Sequence, residues 1–202
     1  GSEMCIRDRR NEVWFLIQLV GDGTRRLSTL KSGDVLNAVL PLGNSFSLPE
    51  KNEKVLLIGG GVGTAPMLFL GSYLRNAGFV PHFLLGARSS RDILQKEQFE
   101  ALGIVDVTTE DGSCGEKGYV TQHSLLQKEH FDRIYTCGPK PMMVAVARYA
   151  KGKGIKCEVS LENMMACGVG ACLCCVENTT EGHICVCKEG PVFNIEKLLW
   201  QI

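Results

Sequence analysis

The 202-residue chain has no excess of charge of either sign, because 22 Lys and Arg residues balance 22 Asp and Glu residues. We therefore do not expect a basic surface that binds nucleic acid or an anionic membrane. No apolar run reaches the roughly 18 residues that span a bilayer, and residues 1–10 are polar and charged, unlike a signal peptide. These absences favour a cytoplasmic protein without a nucleic-acid or membrane partner.

The four histidines lack the spacing of a metal site, and no arrangement of Ser, His and Asp typical of a hydrolase is visible. We interpret His123 and His130 as surface residues in or just after a helix. Hydrophobic residues make up 45% of the chain and charged residues 22%. Both values are close to those of globular domains, so we expect a sizeable core.

Cysteine is the residue type in excess, since seven of the ten cysteines fall between residues 157 and 187. A secreted disulfide framework is usually a shorter chain with more evenly spread cysteines. We therefore favour a metal or iron–sulfur site in a reducing compartment. The seven are Cys157, Cys167, Cys172, Cys174, Cys175, Cys185 and Cys187.

The chain divides into a leader and three segments. We expect residues 1–10 to be a tag or another non-native leader. Residues 11–49 predict strands at Val13–Val20 and Val35–Leu40 around a short helix at Thr24–Leu30. Three short elements cannot close a β-barrel, so this segment has to pack against neighbouring segments or be part of a larger domain.

Residues 50–156 alternate strands with helices, which predicts an α/β fold with a parallel, doubly wound sheet. Residues 162–202 change to Cys- and Gly-rich loops with a short helix near Ile195–Trp200. The predicted strands of the α/β segment are 54–58, 80–85, 104–109, 133–137 and 156–161, and its predicted helices are 64–76, 91–102, 120–128 and 140–151.

A glycine-rich loop, residues 59–66, follows the first predicted strand of the α/β segment and opens a helix. Backbone N–H groups at such a helix start bind pyrophosphate, and glycine lets the phosphates approach closely. The alternative is a plain strand–helix turn. The sequence departs from G-x-G-x-x-G because proline replaces the third glycine. The expected nucleotide contacts are Gly60, Gly61, Gly63, Thr64 and Pro66.

Two further residues are predicted at the carboxyl ends of parallel strands, where ligands bind in open α/β sheets. Cys137, followed by Gly138 and Pro139, is a candidate neighbour of a nicotinamide ring, and Glu162 is expected to face the same site. The alternatives are a small packed side chain for Cys137 and a solvated loop carboxylate for Glu162.

The turn Gly21-Asp22-Gly23-Thr24 leads into a predicted helix. Its backbone N–H groups at Gly21 and Gly23 and the Thr24 hydroxyl are candidates for holding a second pyrophosphate. A turn without a ligand is the alternative.

The spacing Cys167-x4-Cys172-x2-Cys175 matches the plant-type [2Fe–2S] pattern, which a distant fourth cysteine completes. A four-cysteine zinc site and disulfides are the alternatives. Cys174 and Cys185 compete as ligands, although Cys174 breaks the x2 spacing. Cys185 and Cys187 would share one face if that stretch is a strand, so geometry alone does not separate them.

Together these motifs resemble the ferredoxin reductase-like flavoproteins. Among these flavoproteins, the motifs most resemble the family of electron-transfer subunits of type B, NAD-dependent dihydroorotate dehydrogenase. The resemblance covers about residues 11–202, and the cysteine loop with its tail is the most specific part. The matching positions are residues 21–24, 41–44, 59–66, 86–88, 109, 111–113, 118–121, 137–139, 160–172 and 186–193.

The resemblance implies an FAD-binding β-barrel over residues 11–49, an NAD-binding domain over 50–156 and a [2Fe–2S] domain over 157–202. It selects Cys187 as the fourth cluster ligand and adds Asp111 to the cofactor contacts. Arg88, at the end of the second α/β strand, is a further cofactor contact that would suit a 2′-phosphate, although the resemblance favours NAD. The family's first barrel strands should precede Asn11, so we expect this chain to lack roughly the first half of the barrel.

The resemblance also implies a function in pyrimidine biosynthesis. A catalytic, FMN-containing subunit would oxidise dihydroorotate, and electrons would pass through the [2Fe–2S] cluster and FAD to NAD within a heterotetramer. Met164, Met165, Val169 and Leu173 are candidates for a partner surface or for local packing. The alternatives are a related subunit of a hydrogenase, sulfide dehydrogenase or ferredoxin:NADP oxidoreductase, a non-enzymatic zinc or redox module, and an inactive fragment.

Overall fold

The computed structural model describes the backbone of residues 3–7 and the whole of residues 13–200. The described chain begins with an antiparallel hairpin of strands β1 (Glu3–Arg7) and β2 (Val13–Ile17), followed by helix α1 (Asp22–Leu27). Part of the segment predicted to be a non-native leader, Glu3–Arg7, pairs with β2.

A seven-stranded sheet forms the centre of the molecule, in the order β11-β8-β7-β3-β4-β5-β6. All neighbours are parallel except β11, which runs antiparallel to β8. The strands are β3 (Val55–Gly60), β4 (His82–Ala87), β5 (Ile104–Thr109), β6 (Glu116–Lys117), β7 (Arg133–Cys137), β8 (Lys156–Ser160) and β11 (Val192–Asn194).

Helices cover both faces of this sheet, as a doubly wound fold requires. The longest two are α2 (Thr64–Asn76) and α5 (Lys140–Lys153), and α3 (Lys96–Glu100) and α4 (Leu125–Lys128) are short. Leu57 packs with α2 on one face, and its neighbours Leu56 and Ile58 pack with α5 on the other. Burial on both faces explains why the central strands are continuously apolar.

The tail after β8 forms a small module on one face of the sheet. It contains the antiparallel hairpin β9 (Val176–Thr179) and β10 (Gly182–Cys185), helix α6 (Val186–Glu189) and β11. The module also contacts the segment after α1, because the Asn44 side chain donates to the Glu189 carbonyl at 2.6 Å. The predicted helix near Ile195–Trp200 is a single 3-10 turn at Ile195–Lys197.

Three predicted elements are wrong in extent or type. The predicted strand Val35–Leu40 has no regular structure and is exposed, with Val35 84% accessible. The predicted helix 91–102 is reduced to α3 because Gln95 adopts a left-handed φ of 56° just before it. The predicted helix 120–128 is split because His123 is extended, leaving a 3-10 turn and α4. No helix among the described residues has the length and apolarity to cross a bilayer.

Candidate functional site

The carboxyl ends of β3 and β7 form a crevice at the centre of the sheet. These strands are neighbours, but the chain continues from β3 towards β4 on one side and from β7 towards β8 on the other. This change of direction is the topological switch point at which open α/β sheets bind ligands. The loops predicted to bind nucleotide, after β3 and after β7, therefore meet in one place.

Glycine is required at this crevice because the two loops touch through their backbones. A Cβ on Gly63 would lie 2.5 Å from the carbonyl oxygen of Cys137, and one on Gly138 would lie 3.0 Å from the carbonyl oxygen of Gly60. A Cβ on Gly60 would meet the Met142 sulfur at 2.7 Å. Backbone atoms, together with the Met142 side chain at Gly60 and Gly138, therefore leave no room for a side chain at these three positions.

The turn between β3 and α2 presents an open backbone surface. Gly61 has a φ of 57°, and a Cβ there would meet nothing within 4 Å. The Thr64 hydroxyl donates to the Gly61 carbonyl at 2.9 Å, which fixes the turn, and Pro66 lies in the first turn of α2. The N-terminus of a 13-residue helix thus faces the crevice, with the partial positive charge that favours an anion.

Cys137 and Glu162 lie near each other at this edge of the sheet. Burial raises the pKa of the Cys137 thiol, and the charge of Glu162 raises it further, while a side-chain hydrogen bond with Ser160 acts in the opposite direction. Partial enclosure also raises the pKa of Glu162. The thiol is fully buried, so it remains protonated and packs beneath the crevice. The nicotinamide contact predicted for both residues stays a prediction.

Arg88 and Asp111 lie close together in the loops that follow β4 and β5. The Asp111 N–H donates to the Arg88 carbonyl at 3.2 Å, and both side chains are exposed. Hydrogen bonds from the Ser113 hydroxyl and N–H lower the pKa of Asp111 and keep it ionised. The pair offers one positive and one negative group beside the crevice.

The Thr24 hydroxyl is used inside its own turn. It donates to the Gly21 carbonyl at 2.9 Å and accepts from the N–H groups of Val20 and Gly21, both at 3.1 Å. The structure therefore does not favour the predicted contact of this hydroxyl with pyrophosphate. A Cβ on Gly21 or Gly23 would meet nothing within 4 Å, so the backbone side of the turn is open.

Backbone N–H groups surround the sulfur of Cys167. The N–H groups of Val169 and Cys172 both donate to it at 3.4 Å. These bonds, with that from Val169 the largest contribution, lower the pKa of Cys167 to about 6. The left-handed conformations of Gly168 and Gly170, with φ of 71° and 78°, shape this loop. A thiolate that accepts N–H bonds is the form that binds iron.

Cys175 and Cys187 form a second, buried pair in the module. The Cys187 N–H donates to the Cys175 sulfur at 3.4 Å, and the two thiols are in contact, which raises the pKa of Cys187. Cys185 ends β10 whereas Cys187 lies in α6, so this stretch is not a single strand and the two side chains do not share a strand face. Cys172 and Cys174 are exposed.

The arrangement of the thiols fits a two-iron cluster. Cys167 contacts the side chain of Cys172, as Cys175 contacts that of Cys187, so the four predicted ligands form two pairs. A [2Fe–2S] cluster shares four sulfur ligands between two irons. In the described part of the chain, no group of three or more His, Cys, Asp or Glu side chains is arranged around a single metal-ion position.

Two clusters of polar side chains in the structure were not predicted from the sequence. The buried imidazoles of His82 and His123 share Asp106, with nitrogen–oxygen distances of 2.6 and 3.9 Å. The interpretation of His123 as a surface residue is therefore wrong. Alternation along β4 and β5 is the one signal that could have indicated the first pair, because it puts His82 and Asp106 on the same face.

The second cluster connects the cysteine module to α5. Glu177 Oε2 accepts from the Asn163 amide at 3.1 Å, and its Oε1 accepts from the Trp200 indole at 3.4 Å. Lys140 Nζ, at the start of α5, lies 3.6 Å from Glu177 Oε1. Lys140 directly follows Gly138 and Pro139 of the crevice, so the contact between Lys140 and Glu177 connects the cysteine module to the edge of the crevice.

Two family models match the chain. One is described as the iron–sulfur cluster binding domain of dihydroorotate dehydrogenase B and matches residues 162–199. The other is the oxidoreductase NAD-binding domain and matches residues 57–148. The predicted α/β fold, with an NAD-binding domain followed by an iron–sulfur region, is confirmed.

Curated relatives match across most of the chain. The dihydroorotate dehydrogenase B (NAD(+)) electron transfer subunit of Caldanaerobacter subterraneus subsp. tengcongensis is 41% identical over 190 residues, or 92% of this chain and 75% of that protein. The same subunit of Clostridium acetobutylicum is 40% identical over 183 residues, or 90% of this chain and 72% of that protein.

Solved structures agree with this assignment of the fold. The NADH-dependent reduced ferredoxin-NADP oxidoreductase structure is 33% identical, with a TM-score of 0.83 over 99% of this chain and 79% of the other. The cytochrome b5 reductase domain of Ulva prolifera nitrate reductase has a TM-score of 0.58 over 76% of this chain and 78% of its own. At 16% identity, that second likeness concerns the fold alone.

Proposed function

Because the chain belongs to the family of dihydroorotate dehydrogenase B (NAD(+)) electron transfer subunits, we propose that it carries electrons from dihydroorotate oxidation to NAD. The [2Fe–2S] ligands in this proposal are Cys167, Cys172, Cys175 and Cys187. NAD binds in the crevice between β3 and β7, against the two glycine loops.

The observation that carries the proposal is the physical connection between the crevice and the thiol module. Strand β8 borders β7 on one edge and pairs with β11 of the module on the other. Glu177 of the module also contacts Lys140, which follows the loop after β7. A rigid connection of this kind keeps two redox centres at a constant separation, which electron transfer needs.

The bound groups supply the redox chemistry, with one-electron transfer at the iron–sulfur cluster and hydride transfer at the nicotinamide. The chain's own residues bind and orient them. The N-terminus of α2 and the backbone of Gly60, Gly61 and Gly63 receive the pyrophosphate. The N–H groups around Cys167 hold that sulfur as a thiolate, which is the state required for iron binding.

The family assignment also brings FAD to this chain, and we assign its pyrophosphate to the turn at Gly21–Gly23. The turn is open on its backbone side, and its conformation is fixed from within by the Thr24 hydroxyl. Thr24 thus acts as a positioning residue for the turn rather than as a direct phosphate ligand.

We further propose that the electron donor is a catalytic, FMN-containing subunit that oxidises dihydroorotate and docks over the cysteine loop to form a heterotetramer. Met164 is 78% exposed there, and Val169 and Leu173 are each 66% exposed. Exposed Met and aliphatic side chains of this kind suit a protein partner. The free thiols of the described residues suit the reducing cytoplasm.

An anaerobic assay of the purified chain for iron, sulfide, zinc and flavin tests the cofactor content. We expect about two irons and two sulfides per chain, together with flavin and with bleaching of the visible absorbance by NADH. Zinc without sulfide would contradict the proposal. Co-purification with the dihydroorotate-oxidising subunit, and dihydroorotate-dependent NADH formation by that complex, test the partner.

A second candidate is a subunit of a ferredoxin:NADP oxidoreductase, favoured by the solved structure with the TM-score of 0.83. The exposed Arg88 also suits the 2′-phosphate of NADP. The two functions differ in the electron donor and in the nucleotide. Reduction by ferredoxin with preference for NADP would support this alternative.

A further inference from the structure

Cys185 lies among the proposed cluster ligands, although the family resemblance selects Cys187 as the fourth. Its sulfur is 3.6 Å from the carbonyl oxygen of Gly170, in the loop between Cys167 and Cys172. Its thiol also contacts the thiol of Cys175. A fifth sulfur thus lies next to Cys175, one of the proposed ligands.

The β9–β10 hairpin determines this position. Cys185 pairs with Val176, the first residue of β9, and Cys175 directly precedes Val176. The Val186 N–H then donates to the Cys175 carbonyl at 3.1 Å, which closes the open end of the hairpin. Cys185 and Cys175 are therefore kept adjacent by backbone hydrogen bonds that are independent of any bound cluster.

Cys185 and Cys187 share both of their neighbours. Cys187 contacts the Cys175 thiol and accepts from the Gly170 N–H, while Cys185 contacts the same thiol and donates to the Gly170 carbonyl. The two candidates therefore lie against the same loop residue and the same partner ligand. Only Val186 separates them in the chain, where β10 ends and helix α6 begins.

We propose that Cys185 is a reserve ligand for the fourth cluster position, able to bind iron when Cys187 does not. This inference depends on the cluster of the proposed function. In the exchange, the Cys185 thiol releases its proton to solvent and its sulfur binds the iron, while the Cys187 sulfur leaves the iron as a thiolate and takes up a proton from solvent. No electron is transferred, and the new ligand is a thiolate like the old one.

Alanine variants test the proposal, because serine would leave an oxygen that can bind iron. We expect Cys187→Ala to retain most of the iron and sulfide of the unaltered chain, with a changed electron paramagnetic resonance signal after reduction. The double variant Cys185→Ala/Cys187→Ala should lose nearly all of both. The matched double variant Cys174→Ala/Cys187→Ala should behave like Cys187→Ala alone, because the x4-x2 spacing leaves Cys174 out of the ligand set.

If Cys187→Ala holds no more iron than the Cys185→Ala/Cys187→Ala variant, Cys185 is not a reserve ligand. A failure of the proposed function looks different, because the unaltered chain would then lack iron and sulfide as well. Circular dichroism checks that each variant is folded.

A second measurement avoids any change at Cys187. Cys185→Ala alone should load normally but release iron to a chelator about tenfold faster than the unaltered chain, since it cannot recapture iron that Cys187 releases. Cys174→Ala is the control and should release iron at the unaltered rate. An unchanged rate for Cys185→Ala would also overturn the proposal, including in the case that Cys187→Ala does not fold.

Discussion

Gly63 packs directly on the carbonyl group of Cys137, so closely that a Cβ on Gly63 would stand 2.5 Å from that oxygen. The obstructing atoms belong to the backbone of β7 and cannot rotate away. The φ of Gly63 is −62°, which any residue adopts, so the need for glycine here is purely steric. This contact holds the two loops of the crevice together.

We therefore expect Gly63→Ala to push the start of α2 away from β7. Overpacking of this kind costs about 1–3 kcal/mol of stability, and the displaced loop should also bind NADH more weakly. Urea unfolding and a fluorescence titration with NADH measure the two effects.

Gly152→Ala is the matched control for that change. Gly152 lies inside α5, and a Cβ there would meet nothing within 4 Å. Alanine in a helix is favoured over glycine by about 0.5–1 kcal/mol, so this variant should be slightly more stable. Equal stability of Gly63→Ala and the unaltered chain would show that the loops can separate without loss.

Glu53 should make the protein sensitive to acid. Burial alone would raise the pKa of this carboxyl, but hydrogen bonds from Arg133 and Lys156 outweigh it and lower the pKa from 4.5 to about 2. A carboxyl whose pKa is lower in the folded state stabilises the fold above its unfolded pKa. That contribution is lost as the pH falls from about 4.5 to about 2.

Glu53→Gln should thus lower the free energy of unfolding at pH 7 by about 1–2 kcal/mol, after allowance for solvent screening. The difference from the unaltered chain should shrink as the pH falls below 4.5, the ordinary value for this carboxyl. Glu129→Gln, which removes the exposed pair with Lys54, is the control and should have a smaller effect. A difference that grows towards low pH would refute the assignment.

Much of the central fold could be predicted because local pattern and tertiary packing agree there. Strand Arg133–Cys137 and helix Thr64–Asn76 have the bounds that the sequence predicted. Continuous apolar runs become strands buried on both faces, and the glycine loop between strand and helix marks the crevice. The prediction of strand Val35–Leu40 failed because its apolar pattern has no neighbouring strand among the described residues to pair with.

The contacts that connect distant segments could not be predicted from one sequence. Asp106 meets His82 and His123 only because β4, β5 and the turn before α4 converge. The proximity of Cys185 to Gly170 likewise depends on the register of the β9–β10 hairpin. Spacing alone does not distinguish Cys185 from Cys187 as the fourth cluster ligand, and Cys187 was selected from the family resemblance and not from geometry.

Cys172 and Cys174 provide a matched test of the cluster ligands, since both are exposed and neither change removes packing. The x4-x2 spacing assigns Cys172 as a ligand and leaves Cys174 out. We expect Cys172→Ala to lose most of the iron–sulfur absorbance and Cys174→Ala to keep it, as measured by anaerobic visible spectra with iron and sulfide assays. The reverse result would move the ligand to Cys174.

Glu177 should hold the cysteine module against the NAD-binding domain, because it accepts hydrogen bonds from Asn163 and Trp200 and faces Lys140. Glu177→Leu leaves the indole and the amide without this acceptor, which costs about 1–3 kcal/mol when the groups are buried. Glu177→Gln keeps an acceptor oxygen and should cost less.

The fluorescence of Trp200 reports the separation of the cysteine module from the NAD-binding domain once the other tryptophan, Trp14, is replaced by phenylalanine. In that background, Glu177→Leu should shift the Trp200 emission to longer wavelength at a lower urea concentration than either Glu177→Gln or the parent. If the module is instead held by the β11–β8 pairing alone, all three proteins will lose the Trp200 signal at the same urea concentration, since that pairing is untouched by either change.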